Sequence, residues 1–223
     1  MKALSVVFLS LFFLFSIADV AAIKYGSVRL QRIFKPLLMP LLLAFYLACS
    51  ALLGKSPDLF IALAIICGFL GDTFLLGSGS FFTCGLLAFL LGHLFYITAF
   101  LRPLETVAVP PAFYIAVIAY VVYCVVICRR LLPFVEKPMK LPVVAYMFFI
   151  LTMSFTSLLR GSAFSGFNFV FPFIGSLSFI ASDSMLAFQN FKKSGPFAGN
   201  KGGVAIMITY LAAQFFIALG VLI

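Results

Sequence analysis

The sequence predicts an all-α fold, a polytopic membrane helix bundle of eight transmembrane helices in one integral membrane domain over residues 1–223. Three observations predict it. Hydrophobic residues make up 65% of the chain and charged residues 9%, too little charge to coat a water-soluble surface. Apolar runs of about 20 residues recur from end to end, the length a helix needs to cross ~30 Å of hydrocarbon. The basic residues gather in short connections between these runs, where they set orientation and meet lipid headgroups. A β-barrel would show segments of about ten residues alternating in polarity, and none is seen.

The first run, about 3–22, follows Lys2 and ends in small residues, a pattern that a signal peptide shares. One lysine is a weak leader and the run is long, so it is read as a retained helix. The second run, about 34–53, is opened by KPLLMP (35–40) and closed by Gly54. In the GKSPD segment, Ser56 is expected to cap the third run, about 57–76, with Pro57 in its first turn. GSGS (77–80) ends that helix, and RPLE (102–105) ends the fourth, about 80–101. The fifth run is about 107–127. KPMKLP (137–142) opens the sixth, about 141–159. The seventh is about 167–189, and the eighth, about 203–223, follows a loop at 192–203.

Connections 1, 3, 5 and 7 carry eleven of the fifteen Lys and Arg, and the other side carries Lys2, Lys55, Arg102 and Arg160. The positive-inside rule then places the odd-numbered connections in the cytoplasm and both termini on the non-cytoplasmic side. A faint duplication is also visible. KPLLMP and KPMKLP open the second and sixth helices, and FLGDTFL in the third parallels IASDSML in the seventh. This suggests two parallel four-helix halves.

Several functions are excluded. The net charge of +9 lies in loops rather than on one basic face, so no nucleic-acid partner is expected. Five cysteines, all within apolar runs and without a CxxC pair, read as small buried hydrophobes. One histidine and no HExxH, GxSxG or Walker motif leave no expected metal site or cofactor.

Of six acidic residues, Asp58, Glu105 and Glu136 fall at helix ends or in loops, and Asp19 near the inner end of the first helix. Asp72 and Asp183 lie inside apolar runs. An aspartate at mid-membrane costs roughly 2.5–3.5 kcal/mol on insertion scales, so such a residue faces the bundle interior and is functional by default. Both come shortly before the cytoplasmic end of helices running in the same direction, which puts them at one depth and able to share a cavity. Gly68 shares a face with Asp72, and Ser176 with Asp183. His93, with Tyr96 one turn on, suits proton transfer. Tyr210 and Gln214 share a face at i, i+4. Tyr146 and Lys35 complete the candidates, Lys35 at the cytoplasmic start of its helix, where it would meet a lipid phosphate or snorkel. Each polar residue also fits a plain role in bonding helix to helix.

At these residues the chain resembles the YhhN-like lysoplasmalogenase family of membrane proteins. The resemblance runs in family order from KP at Lys35 through GDTFL, FFTCGLLAFLLGHLFYITAF (81–100) and LPVVAY (141–146). It continues through GSLSFIASDSMLAF (175–188) to TYLAAQ (209–214). The resemblance implies hydrolysis of the vinyl ether bond of a lysophospholipid substrate, a lysoplasmalogen, to a fatty aldehyde and a glycerophospho-alcohol. One of Asp72 and Asp183 would protonate the alkenyl carbon. The other would stabilise the oxocarbenium-like cation and orient water, as two carboxylates do in glycosidases. His93 would share the proton, and Lys35, Tyr96, Tyr146, Tyr210 and Gln214 would bind or orient substrate. Buried acids in paired helices equally suit a proton-coupled transporter or channel, although neither helix shows a mid-membrane Pro/Gly break. A scaffold whose acids only bond neighbouring helices is the third reading.

Overall fold

The computed structural model describes residues 2–77, 81–104, 111–192 and 195–223. Among the described residues eight helices appear: α1 (Lys2–Lys24), α2 (Val28–Leu52), α3 (Leu59–Leu75), α4 (Phe81–Leu101), α5 (Ala112–Leu131), α6 (Lys137–Leu159), α7 (Phe167–Ala187) and α8 (Gly199–Leu222). All but α3 are long and apolar enough to cross a membrane. At 17 residues α3 rises about 26 Å, the short end of the spanning range. The chain is an integral, multi-pass membrane protein. Its outer faces carry large apolar side chains such as Ile17, Ile115 and Leu141, each more than two-thirds exposed and suited to lipid. Residues 78–80, Glu105, residues 107–110 of the fifth expected helix, and Lys193 lie outside the described residues.

Helix boundaries differ from expectation where polar or proline-bearing turns extend an apolar run. The second helix starts at Val28, so Pro36 and Pro40 sit inside it rather than opening it. Each proline forfeits one helical hydrogen bond, to the carbonyls of Arg32 and Pro36, which neighbouring helices in a bundle tolerate. The sixth helix does open on KPMKLP, with Pro138 in its first turn. The fifth runs on to Leu131 and carries Arg129 and Arg130 in its last turn, where cations suit the exposed carbonyls. The cap of the third helix is Asp58 and not Ser56. Its carboxylate accepts from the Phe60 and Ile61 amides at 2.8 and 3.3 Å, satisfying two free donors. Gly54 does end α2, at φ +66°.

Connections alternate between the two ends of the bundle. Asn200, in the first turn of α8, donates to the carbonyl of Lys24 at the end of α1. Lys55, after α2, donates to the carbonyl of Leu222 at 2.7 Å at the far end of α8. Lipid tails are as apolar as leucine, so helices pair by close packing rather than by hydrophobic drive. Small residues set the tightest seams. Gly92 brings α4 against Cys67 and the Ala64 carbonyl of α3, and Gly175 and Gly220 bring α7 against α8. Most packing lies in the pairs α1–α2, α3–α4 and α7–α8, whereas α5 meets the rest weakly. Serines of the interior bond to carbonyls three or four residues back, or to one another in the Ser154, Ser157 and Ser176 cluster between α6 and α7. Arg160, 3% exposed at the end of α6, is held over the ring of Phe164 at 4.2 Å.

Candidate active site

Asp72 sits near the C-terminal end of α3, 1% exposed. Tyr210 of α8 donates to its Oδ2 at 2.9 Å, and Lys35 Nζ of α2 lies 3.7 Å from its Oδ1. Behind Tyr210 the polar chain continues. Gln214 Nε2 donates to Tyr210 Oη at 3.4 Å, and Tyr96 of α4 donates to Gln214 Oε1. Gly68 leaves the space for this, since a Cβ there would stand 2.9 Å from Gln214 Nε2 and 3.1 Å from Tyr210 Oη. Every donor in the chain Tyr96, Gln214, Tyr210 points toward the carboxylate. Lys35, 17% exposed, supplies the counter-charge that an acid this deep needs.

Asp183 sits near the end of α7. Tyr146 of α6 donates to its Oδ2, and His93 Nε2 of α4 lies 3.0 Å from Tyr146 Oη and 3.4 Å from Asp183 Oδ2. His93 is held edge-on between the rings of Tyr146 and Phe179. Just beyond Asp183, α7 widens into a π turn at Phe188–Lys192. Such widenings recur beside functional sites.

The contacts repeat at a spacing of four helices. Each aspartate meets one group from the preceding helix, Lys35 of α2 or Tyr146 of α6. Each meets another from the last helix of the opposite half, Tyr210 of α8 or His93 of α4. This is the pattern that two parallel four-helix halves would leave.

The sequence-predicted residues therefore assemble into two networks, not one. Among the described residues the two acids bond to different partners, and aromatic rings pack between those partners. Phe179 contacts both His93 and Tyr210, and Phe89 packs edge-on against Tyr210. An enclosed apolar cavity of about 40 Å³ is lined by Asp183, Tyr146, Phe89, Leu131, Val143 and Ser184, among others, and Asp72 is not on its wall. Helix α4 joins the networks, giving His93 to one and Tyr96 to the other.

Sequence reasoning passed over Asp19. It is fully buried, and neither of its oxygens has a hydrogen-bond partner among the described residues. It feels the charges of Lys35 and Asp72, so three ionisable groups share this corner. Its place near a helix end hid it. The usable signal was the spacing of Ser5, Phe12, Ser16, Asp19 and Ala22, one buried stripe of α1.

Chemically, the Asp183 network can relay a proton. Tyr146 has one hydroxyl hydrogen; when it goes to Asp183, the phenolic oxygen accepts from His93 Nε2–H. The reverse order, Asp183 to Tyr146 to His93, uses the same atoms. The carboxyl and His93 can thus exchange a proton without moving a side chain, and His93 Nδ1, on the far side of the ring, has no partner among the described residues.

The model of the YhhN family matches residues 30–221. The chain belongs to the YhhN family. It is similar to lysoplasmalogenase TMEM86B of Mus musculus, 34% identical over 170 residues, which are 76% of this chain and 66% of that protein. Lysoplasmalogenase TMEM86B of Homo sapiens is 32% identical over 160 residues, 71% of this chain and 62% of that protein. The matched stretch thus spans a little under two thirds of these relatives' length. No solved structure matches. Both networks of this YhhN-family chain fall inside the family match, whereas Asp19 falls outside it.

Proposed function

We propose that the protein is a membrane hydrolase of the lysoplasmalogenase type, cleaving the vinyl ether of a lysoplasmalogen to a fatty aldehyde and a glycerophospho-alcohol. The observation that carries this reading is the apolar cavity with one carboxyl group on its wall, backed by the Tyr146–His93 relay. Two relatives bearing the lysoplasmalogenase name support it. Protonated Asp183 gives its proton to the alkenyl carbon remote from oxygen, leaving an oxocarbenium ion at the other alkenyl carbon. Water adds to it, and the Asp183 carboxylate takes the water's proton. The resulting hemiacetal passes its hydroxyl proton to the glycerol oxygen as the C–O bond breaks, so one water is consumed and aldehyde and alcohol leave.

In this reading the two aspartates divide the work across an aromatic wall. Asp183 touches the reacting atoms. Asp72, paired with Lys35 and Tyr210, holds fixed negative charge behind Tyr210 and Phe89. The rule of basic loops puts the cavity at the cytoplasmic end of the bundle, at the depth of the inner leaflet.

The test is aldehyde release by purified protein in detergent, presented with a vinyl-ether lysolipid and its alkyl-ether and acyl analogues. Only the vinyl ether is cleaved, and Asp183→Asn stops cleavage while the protein still inserts and purifies. Full activity of Asp183→Asn, or equal attack on the acyl analogue, overturns the reading. A transporter would release no aldehyde in the absence of a second compartment.

A further inference from the structure

We propose that the groove between α5, α6 and α7 is the site for the lipid tail of the substrate, divided from the Asp183 cavity by the hydrogen bond between Tyr123 and Ser184. This rests on the hydrolytic reading above and adds the place and path of the substrate's chain.

Size raises the problem. The cavity at Asp183 has room for about one water molecule, and a fatty chain cannot fit in it as it stands. The larger space lies next door. A groove of about 380 Å³ runs up α7, lined by Ala116, Ala119, Tyr123, Leu177 and Ala181 among others, and it opens laterally. Tyr123 belongs to the groove and Ser184 to the cavity, and their hydroxyls meet at 2.8 Å. The wall between the two spaces therefore includes a single exchangeable hydrogen bond from α5 to α7.

Helix α5 is the element that can give way. Only 6% of its span is buried, against 50% for α6 and α8. Moving it sacrifices few interior contacts, and segments of that kind open at low cost.

Charge fixes which way round the lipid lies. Beyond the cavity wall residues Leu131 and Val143, a concavity is lined by Arg129 and Lys140 together with Cys128 and Leu132. These two cations complement a phosphate. Three places then follow one another in the order of the parts of a lysophospholipid: a basic rim for the phosphate, Asp183 for the ether, and the groove for the tail. From Asp183 to Phe173, the upper lining residue on α7, the helix rises about 15 Å, so the groove takes much of one chain. The occupant to which the geometry points is a single-chain phospholipid.

The chain contains no tryptophan, so one can be introduced as a reporter. Leu177→Trp places it in the groove, and Leu14→Trp places it on a lipid-facing position of α1 that is 58% exposed. Both variants are titrated in detergent with a lysophospholipid brominated along its chain. Quenching at Leu177→Trp saturates and is reversed by unbrominated lysophospholipid, while quenching at Leu14→Trp rises without saturation and is not reversed. Like behaviour at both positions overturns the proposal. This measurement needs no turnover, so it decides the tail site even if no vinyl ether is cleaved, an outcome that would sink only the hydrolytic reading. Where turnover is seen, Ala181→Phe fills the groove and raises the ratio of KM for a long-chain to KM for a short-chain vinyl ether about tenfold, the effect of taking about two methylenes out of contact. An unchanged ratio overturns the proposal.

Discussion

Tyr210 Oη donates to Asp72 Oδ2 at 2.9 Å, joining α8 to α3 inside the bundle. Both residues are buried, and no solvent stands ready to replace the bond. Tyr210→Phe keeps the ring against Phe89 and Phe179 but leaves a carboxylate oxygen and Gln214 Nε2 short of a partner. The variant loses about 1–3 kcal/mol of stability, the cost of a buried polar group left unpaired. The check is the thermal unfolding midpoint in detergent, which falls, alongside aldehyde release, which falls as well.

The two aspartates separate by what their amides do. Asp183→Asn removes the one carboxyl on the cavity wall among the described residues, and aldehyde release drops about 10²–10⁴-fold with little loss of stability. Asp72→Asn strands the charge of Lys35. Because Lys35 keeps some access to solvent, the loss of stability is about 1–3 kcal/mol rather than that of a fully buried broken pair. Adding Lys35→Met to Asp72→Asn removes that charge and restores part of the loss, the rest remaining because Asp19 loses Lys35 as a counter-charge. Failure of the second change to raise the unfolding midpoint would show that the pair does not hold Asp72 in place.

The eight helices were legible because a span must be long and apolar, and that requirement writes itself on sequence residue by residue. Their ends were less so. Pro36 and Pro40 read as a beginning because prolines favour first turns, and only the packing of α2 against its neighbours shows them as interior. Asp58 displaced Ser56 as a cap because the carboxylate stands directly at the helix start. The acids and their partners were legible as types out of place in apolar runs. Which of them touch was not. Rings such as Phe179, one phenylalanine among thirty, decide that Asp72 and Asp183 face separate networks, and composition gives such a ring no distinguishing mark.

Glycines should split stability from activity. At Gly220 a Cβ would stand 2.2 Å from Cδ of Pro172, a ring fixed to its backbone, so Gly220→Ala must push α7 from α8. It lowers stability by about 1–3 kcal/mol, the usual range for overpacking. At Gly68 the atoms in the way are the ends of Gln214 and Tyr210, which can swing. Gly68→Ala also gains up to about 1 kcal/mol of helix propensity. That gain offsets part of the cost of moving Tyr210 away from Asp72, so stability falls less than in Gly220→Ala while activity falls. Unfolding midpoints and aldehyde release measured on both variants check the contrast, which fails if they change in parallel.

His93 and Tyr146 should act as one unit. His93 Nε2 lies 3.0 Å from Tyr146 Oη and 3.4 Å from Asp183 Oδ2, and Tyr146 is the group that hydrogen-bonds the carboxyl. Removing either end of a two-member relay leaves the other with nothing to pass on. Tyr146→Phe and His93→Gln each slow turnover, and the double variant is scarcely slower than the worse single one, the non-additivity expected of groups that share a step. Independent roles predict instead that the two losses multiply. The solvent deuterium isotope effect on kcat gives a second readout. It is large when proton transfer from Asp183 to carbon limits the rate, and it changes in the relay variants, where the carboxyl loses the Tyr146 and His93 contacts that hold its proton. Multiplied losses with an unchanged isotope effect would reduce His93 to a packing residue between Tyr146 and Phe179.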